Sequence, residues 1–195
     1  MEQELLNKFA TELIRVGGEF SLASSKIEIL KIVNKILSQK GCNTAVLSSH
    51  PFFDSLKEMG KGESGINIFT IEQILSLAGE SDYTNLLREK LSQTDAGINY
   101  AEYLIAETGS AVVVNTQSEP SYLSLLPEIS IIVSKSNRVV KDMSEALNRL
   151  RTENLFDSSG CITFITGPSR TADIEKVLIT GVHGPKKLYV IVINF

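Results

Sequence analysis

Tryptophan is absent from the 195 residues, cysteine and histidine occur twice each, and proline occurs five times. The scarcity of cysteine excludes the most. Cys42 and Cys161 lie far apart with no C-x-x-C spacing, so this chain cannot itself hold an iron–sulfur cluster or a cysteine-rich zinc site. Each precedes a β-type apolar run, and both read as reduced, buried core residues. His50 and His183 form neither an H-E-x-x-H nor an H-x-H pattern, so no dedicated metal site is expected. His50, directly before Pro51, reads as a helix-start residue. Long hydrophobic runs are also missing. The longest, residues 129–133 and 188–193, have strand lengths and fall far short of the ~20 residues that a membrane-spanning helix needs. Charge of one sign is weak: the net charge is −4 and the sequence pI about 5.3, with acids and bases mixed along the chain. That balance favours solubility and argues against a broad nucleic-acid or anionic-membrane surface. Residues 1–16 form an amphipathic charged segment instead of a basic-then-apolar leader, so a cytoplasmic protein is expected. Neither a Gly-x-Ser-x-Gly elbow nor a phosphate-loop Gly-Lys-Ser/Thr string occurs, which leaves serine hydrolases and P-loop NTPases without support.

What is present is an ordinary globular composition, 43% apolar and 22% charged. The length suits one domain over 1–195, with residues 1–40 as a helical segment packed on or appended to it. Leu5, Leu6, Phe9, Leu13 and Ile14 share a helical face that ends at Gly17-Gly18. Ser25 and Glu28 form a capping box ahead of Ile29, Leu30, Val33, Ile36 and Leu37, and Gly41 closes that helix. Pro51 suits a first helical position. Period predicts further helices over residues 71–77, 85–91, 99–108, 139–150 and 171–179, the fourth turning Val140, Met143, Leu147 and Leu150 inward. Strands are predicted over 44–48, 66–69, 111–115, 129–133, 162–166 and 188–194. Continuous apolar strands separated by helices imply a mostly parallel sheet covered on both faces, hence a three-layer α/β/α domain.

Residues 60–65 (Gly-Lys-Gly-Glu-Ser-Gly) match the dinucleotide fingerprint literally, but a helix precedes them and a strand follows, the reverse of what that site requires. They read as a turn. Residues 167–175 (Gly-Pro-Ser-Arg-Thr-Ala-Asp-Ile-Glu) instead follow a strand and open a predicted helix. There Gly167 permits a sharp turn and Pro168 stiffens it, while Ser169 or Thr171 caps the helix. Exposed amides and Arg170 would grip a carboxylate or phosphate, with Asp173 and Glu175 suiting the helix dipole but competing with a bound anion. The plainer alternative is that Ser169 and Thr171 are caps and Arg170 pairs with Asp173. Glu107 ends a predicted helix, where the dipole disfavours it, so it is expected either to share a cleft with Arg170 or to be a solvated residue before the C-capping Gly109. Thr108 and Ser110 flank that turn. His183, between Gly181-Val182 and Gly184-Pro185, is either an acid, base or donor to a ligand or a loop histidine bonded to backbone.

Four stretches together, residues 105–113 (Ile-Ala-Glu-Thr-Gly-Ser-Ala-Val-Val), 124–133 (Ser-Leu-Leu-Pro-Glu-Ile-Ser-Ile-Ile-Val), 164–175 and 181–185, resemble the LUD domain family. The resemblance covers roughly residues 94–192, and the N-terminal third in layout only. It implies a fold like the superfamily of glucosamine-6-phosphate deaminase, ribose-5-phosphate isomerase and the CoA transferases. It also implies a role in bacterial oxidation of L-lactate to pyruvate beside iron–sulfur partner proteins, which carry the clusters that this chain lacks the cysteines to hold. The expectation is therefore an accessory subunit without a cofactor of its own, binding a small anionic metabolite through Thr108, Gly109, Ser110, Gly167, Pro168, Ser169, Arg170, Thr171, Asp173, Glu175 and Gly184. Glu107-Thr108-Gly109 is similar to the Glu-x-Gly of CoA transferases, whose Glu is a nucleophile. The alternative is thus a stand-alone enzyme acting on a phosphorylated or CoA-linked metabolite, with Glu107 and His183 as catalytic groups.

Overall fold

The computed structural model describes residues 2–59, 66–76, 83–116, 121–158, 160–174, 177–180 and 184–194; the glycine-rich stretch 60–65 lies outside them. The first half runs α1 (Glu2–Arg15), β1 (Glu19–Ala23), α2 (Lys26–Gln39), β2 (Thr44–Leu47), α3 (Asp54–Met59), β3 (Asn67–Thr70), α4 (Ile71–Leu75) and α5 (Tyr83–Ser92). There follow β4 (Ala96–Tyr100), β5 (Tyr103–Ile105), β6 (Ser110–Asn115), α6 (Tyr122–Leu125), β7 (Ile129–Lys135) and β8 (Val139–Val140). The chain closes with α7 (Met143–Thr152), α8 (Leu155–Ser158), β9 (Cys161–Ile165), β10 (Arg170–Ile174), β11 (Val177–Thr180) and β12 (Lys187–Ile193).

The large sheet has six strands in the order β1-β12-β7-β4-β2-β3, and every neighbouring pair is parallel. Its central strands are buried on both faces, which is why residues 188–193 are apolar without alternation. One face packs Ile131, Val133, Ile191 and Ile98 against Ile29, Val33 and Leu37 of α2 and Phe53 and Leu56 beside and within α3. The opposite face is shared. Leu6, Phe9 and Leu13 of α1 pack there with Leu104, Ala111 and Val113 of a second, four-stranded sheet in the order β8-β5-β6-β9. Further along, Ile71, Ile74, Leu87 and Leu91 of α4 and α5 cover Val46. The outer face of the small sheet is closed in turn by Ala146 and Leu150 of α7.

The mixed α/β, parallel-sheet expectation holds, and several local expectations do not. Residues 99–108 are not a helix. Apolar side chains at 98, 101, 104 and 105 imitate a helical period, but β4 is buried at all five positions in mid-sheet and β5 pairs antiparallel with β6. Residues 171–179 are not a helix either: β10 and β11 form an antiparallel pair, Arg170 opposite Thr180 and Ile174 opposite Val177, where β-branched Val177, Ile179 and Thr180 favour strand. The helix expected over 139–150 begins later, because Asp142 accepts from the Glu145 amide and caps α7 at Met143. Met143 and Leu147 are consequently exposed and Val140 belongs to β8. Ser25 caps α2 as expected, while the Glu28 carboxylate reaches one residue further back, to the Ser24 amide and hydroxyl. Cys42 is buried but Cys161 is exposed, since β9 is an edge strand of the small sheet. Among the described residues no helix is long and apolar enough to cross a membrane.

Candidate functional site

A turn between a strand and a predicted helix of a parallel α/β domain belongs at the carboxyl edge of the sheet. The turn after β9 does follow the carboxyl end of a strand, but β9 runs antiparallel to β6 in the small sheet, and its end lies over the amino ends of β7 and β12. Here all four family-like stretches meet. Ser110 Oγ lies 2.6 Å from Thr166 Oγ1 and 2.7 Å from Thr108 Oγ1, a relay of three hydroxyls linking the β5–β6 turn to the end of β9. The Ser169 amide donates to the Pro185 carbonyl at 2.8 Å, and a Cβ on Gly184 would fall 2.8 Å from that of Ser169.

The two glycines of these turns seat the end of α1. Gly109 has φ +65°, and a Cβ there would lie 2.3 Å from the Leu13 amide nitrogen. Gly167 has φ +74°, and a Cβ would lie 2.4 Å from the Val16 carbonyl oxygen. Arg170 donates to that same Val16 oxygen at 2.7 Å, placing a cation where the α1 carbonyls converge. Arg170 therefore caps α1 and makes no ion pair with Glu107 among the described residues. Glu107 is exposed in the β5–β6 turn, its amide donating to the Lys141 carbonyl. Thr171 and Asp173 lie on β10, the latter at a register shift, so there is no helix start to receive an anion. Glu175 and His183 lie outside the described residues.

Between this turn and the large sheet is a hollow of about 360 Å³. Hydroxyl groups dominate its polar lining: Ser124, Ser130, Thr163, Thr166 and Ser169, joined by Arg170, with Pro168 on one wall. Thr163 accepts from Asn115 Nδ2 at 2.7 Å, and Ser124 donates to the Ser121 carbonyl at 2.9 Å. Ser130 is different. It is 1% exposed, and its hydroxyl has no hydrogen-bond partner among the described residues. A buried polar atom left this way destabilises a fold by roughly 1–3 kcal/mol unless something meets it. A serine inside the otherwise apolar run 129–133 is the sequence signal for this position.

The carboxyl edge of the large sheet carries a second constellation. His50 follows β2 and Glu102 follows β4, and His50 Nε2 lies 3.1 Å from Glu102 Oε1. The Phe52 amide donates to His50 Nδ1 at 3.1 Å, which places the ring proton on Nε2, directed at the carboxylate. The imidazole stacks on the Tyr100 ring at 4.1 Å and 10°, and Phe52 stacks on the same ring at 5.0 Å. Burial, followed by the charge of Glu102, pushes the Tyr100 phenol up to about 12. His50 is thus the helix-start residue that the sequence indicated, accepting through its ring, and has a carboxylate partner besides. Glu102 was hidden inside the mistaken helix over 99–108.

A six-stranded parallel sheet with helices on both faces, and a smaller sheet inserted into one of them, makes this a mixed α/β protein of layered architecture. The LUD domain family profile matches residues 6–193, and the chain belongs to that family. It is 28% identical to lactate utilization protein C of Halalkalibacterium halodurans over 98% of this chain and 80% of that protein. It is 35% identical to the Bacillus subtilis protein of the same name, over 54% of this chain and 45% of that one. The Escherichia coli protein YkgG is 34% identical over 54% of this chain and 48% of its own length. The chain thus spans about half the length of some relatives and four-fifths of another. In structure it is similar to a DUF162 family protein from Deinococcus radiodurans, with a TM-score of 0.66 and 18% identity over 99% of this chain and 98% of that one.

Proposed function

We propose that this protein serves the utilisation of L-lactate as a subunit that carries no electrons itself, works beside iron–sulfur proteins, and holds a small carboxylate in the hydroxyl-lined hollow. Support for the process comes from relatives named lactate utilization protein C. The division of labour rests on the two isolated cysteines, too few for a cluster within one chain. The observation that carries the ligand is Ser130: a buried hydroxyl without a partner among the described residues, facing a hollow that Arg170 also lines. A carboxylate there would accept from the serine and from the guanidinium N–H groups not used by Val16. The stand-alone reading, with Glu107 as nucleophile on a CoA-linked or phosphorylated substrate, draws no support from an exposed turn residue.

Thermal unfolding with L-lactate, pyruvate and acetate tests the assignment. A ligand at ~100 times its dissociation constant raises stability by about 2.7 kcal/mol. The shift is expected in the native chain, reduced in Ser130→Ala and lost in Arg170→Ala. Shifts that survive in both variants would refute the hollow as the carboxylate site.

A further inference from the structure

In open parallel sheets, ligands bind outside the carboxyl ends of adjacent strands whose outgoing connections leave in opposite directions. In this protein that pair is β2 and β4. From β2 the chain leaves by α3 to β3, at the edge of the sheet, over the α2 face. From β4 it leaves by the small sheet and α6 to β7, toward the opposite edge and over the opposite face. The hollow discussed above is at the opposite, amino edge of the sheet, so the carboxyl ends of β2 and β4 remain without an assigned role. Into it the fold delivers the His50–Glu102 pair.

The surroundings define what would fit. Glu102 is held on one oxygen only: Oε1 takes the imidazole N–H, and Oε2 has no partner among the described residues. The Glu102 side chain is 14% exposed and that of His50 25%, so the pair is mostly enclosed yet reachable. Both imidazole nitrogens are occupied, which makes His50 a positioning residue and leaves the carboxylate oxygen as the group that can act. Beside it stands an aromatic wall of Tyr100 and Phe52. Two ammonium groups converge on the Phe52 ring, Lys26 at 5.3 Å and Lys135 at 6.0 Å from its centroid. Lys26 comes from the start of α2 and donates to Ser55 Oγ, and Lys135 from the end of β7; neither forms an ion pair among the described residues. Two cations with no ion pair among the described residues, over the Phe52 ring, and one carboxylate oriented by the imidazole stacked on Tyr100 suit a ligand with negative charge at one end and a hydroxyl at the other. Ser49, between the strand end and His50, adds a buried hydroxyl with no partner among the described residues.

We infer that the crevice at the carboxyl ends of β2 and β4 is a second ligand site, for a small anionic hydroxy compound whose charge meets Lys26 and Lys135 and whose hydroxyl donates to Glu102. Carboxylate and phosphate satisfy the cationic end equally in chemistry, and differ in charge and oxygen count. The site stands independently of the lactate reading and of the hollow.

His50 is one of only two histidines, so its imidazole nitrogen and carbon-bound proton resonances are an easily assigned local probe. The full chain is titrated with D-glycerate and with glycerol 3-phosphate, and in parallel as Lys135→Met, Glu102→Gln and Arg170→Ala. At least one probe is expected to shift the His50 resonances saturably, glycerate alone marking a carboxylate site and glycerol 3-phosphate a phosphate site. Lys135→Met, at a partly exposed position that leaves the His50–Glu102 bond intact, is expected to weaken that probe at least ~10-fold, and Glu102→Gln likewise. Arg170→Ala, which empties the hollow of its cation, is expected to leave the titration unchanged. If neither probe moves the His50 signals, or if Lys135→Met binds as the native chain does, the second site is refuted. Loss of the titration in Arg170→Ala would overturn its independence and return the binding to the hollow.

Discussion

Gly109→Ala offers a sharp test of how the amino-terminal helix is held. Two separate effects act at this position. With φ at +65°, an alanine must adopt left-handed backbone, which is strained by about 1 kcal/mol or more. Its Cβ would also lie 2.3 Å from Leu13 N, 2.5 Å from Glu12 C and 2.6 Å from Leu13 Cα. All three are backbone atoms of α1, so no side chain can swing aside and the helix end itself must shift. Forced overpacking of this kind costs roughly 1–3 kcal/mol. Gly41 supplies the control: its φ is +68°, yet a Cβ there meets nothing within 4 Å. Both replacements restrict the unfolded chain alike, so that contribution cancels in the comparison. Gly41→Ala should therefore lose only about 1 kcal/mol and Gly109→Ala about 3 kcal/mol. At roughly 2–4 °C per kcal/mol for a chain of this size, the midpoints would fall by about 2–4 °C and about 6–12 °C. Urea unfolding gives the same ranking, and amide exchange along α1 should quicken in Gly109→Ala alone, as Leu6, Phe9 and Leu13 lose their seat. Equal destabilisation by the two replacements would refute the idea that α1 rests on the β5–β6 turn.

Two further outcomes are expected. Burial raises the Asp95 carboxyl, but hydrogen bonds from the Asn43 and Thr44 amides and the Thr44 hydroxyl outweigh it, so the net shift is downward. A depressed carboxyl stabilises the fold above its unfolded value, near pH 4, and the benefit fades as pH falls through the lower folded value. Asp95→Asn should then be less stable by about 1–2 kcal/mol at pH 7 and converge with the native chain in acid, with a gap constant from pH 7 to pH 2 refuting this. For the thiols, Cys161 is exposed whereas Cys42 is buried, and burial pushes the Cys42 thiol up. An aromatic disulfide reagent at pH 8 should titrate one thiol promptly and the other only in denaturant; two prompt thiols would contradict the burial of Cys42.

Elements with a strong local or two-sided apolar pattern were legible in the sequence. The Leu6, Phe9 and Leu13 face of α1 (though not Ile14, which is exposed), the Ser25 cap of α2 and the strands at 44–48, 111–115, 129–133 and 188–194 all follow from side chains that must leave water in a period set by the backbone. The family-like motifs were legible too, and the structure brings Ser110 to Thr166 and Gly184 against Ser169. What local pattern left undecided is which strand a segment pairs with. Residues 99–105, 170–174 and 177–180 have spacings compatible with helix, and they became strands because extended hydrogen-bonding partners were available to them. Tertiary structure alone put β9 in an antiparallel sheet, so that the Gly167–Arg170 turn faces the amino edge and its arginine caps α1 instead of meeting Glu107. It alone joined His50 to Glu102, 52 residues apart, because strand order is settled by packing of whole faces and no short window of sequence contains it.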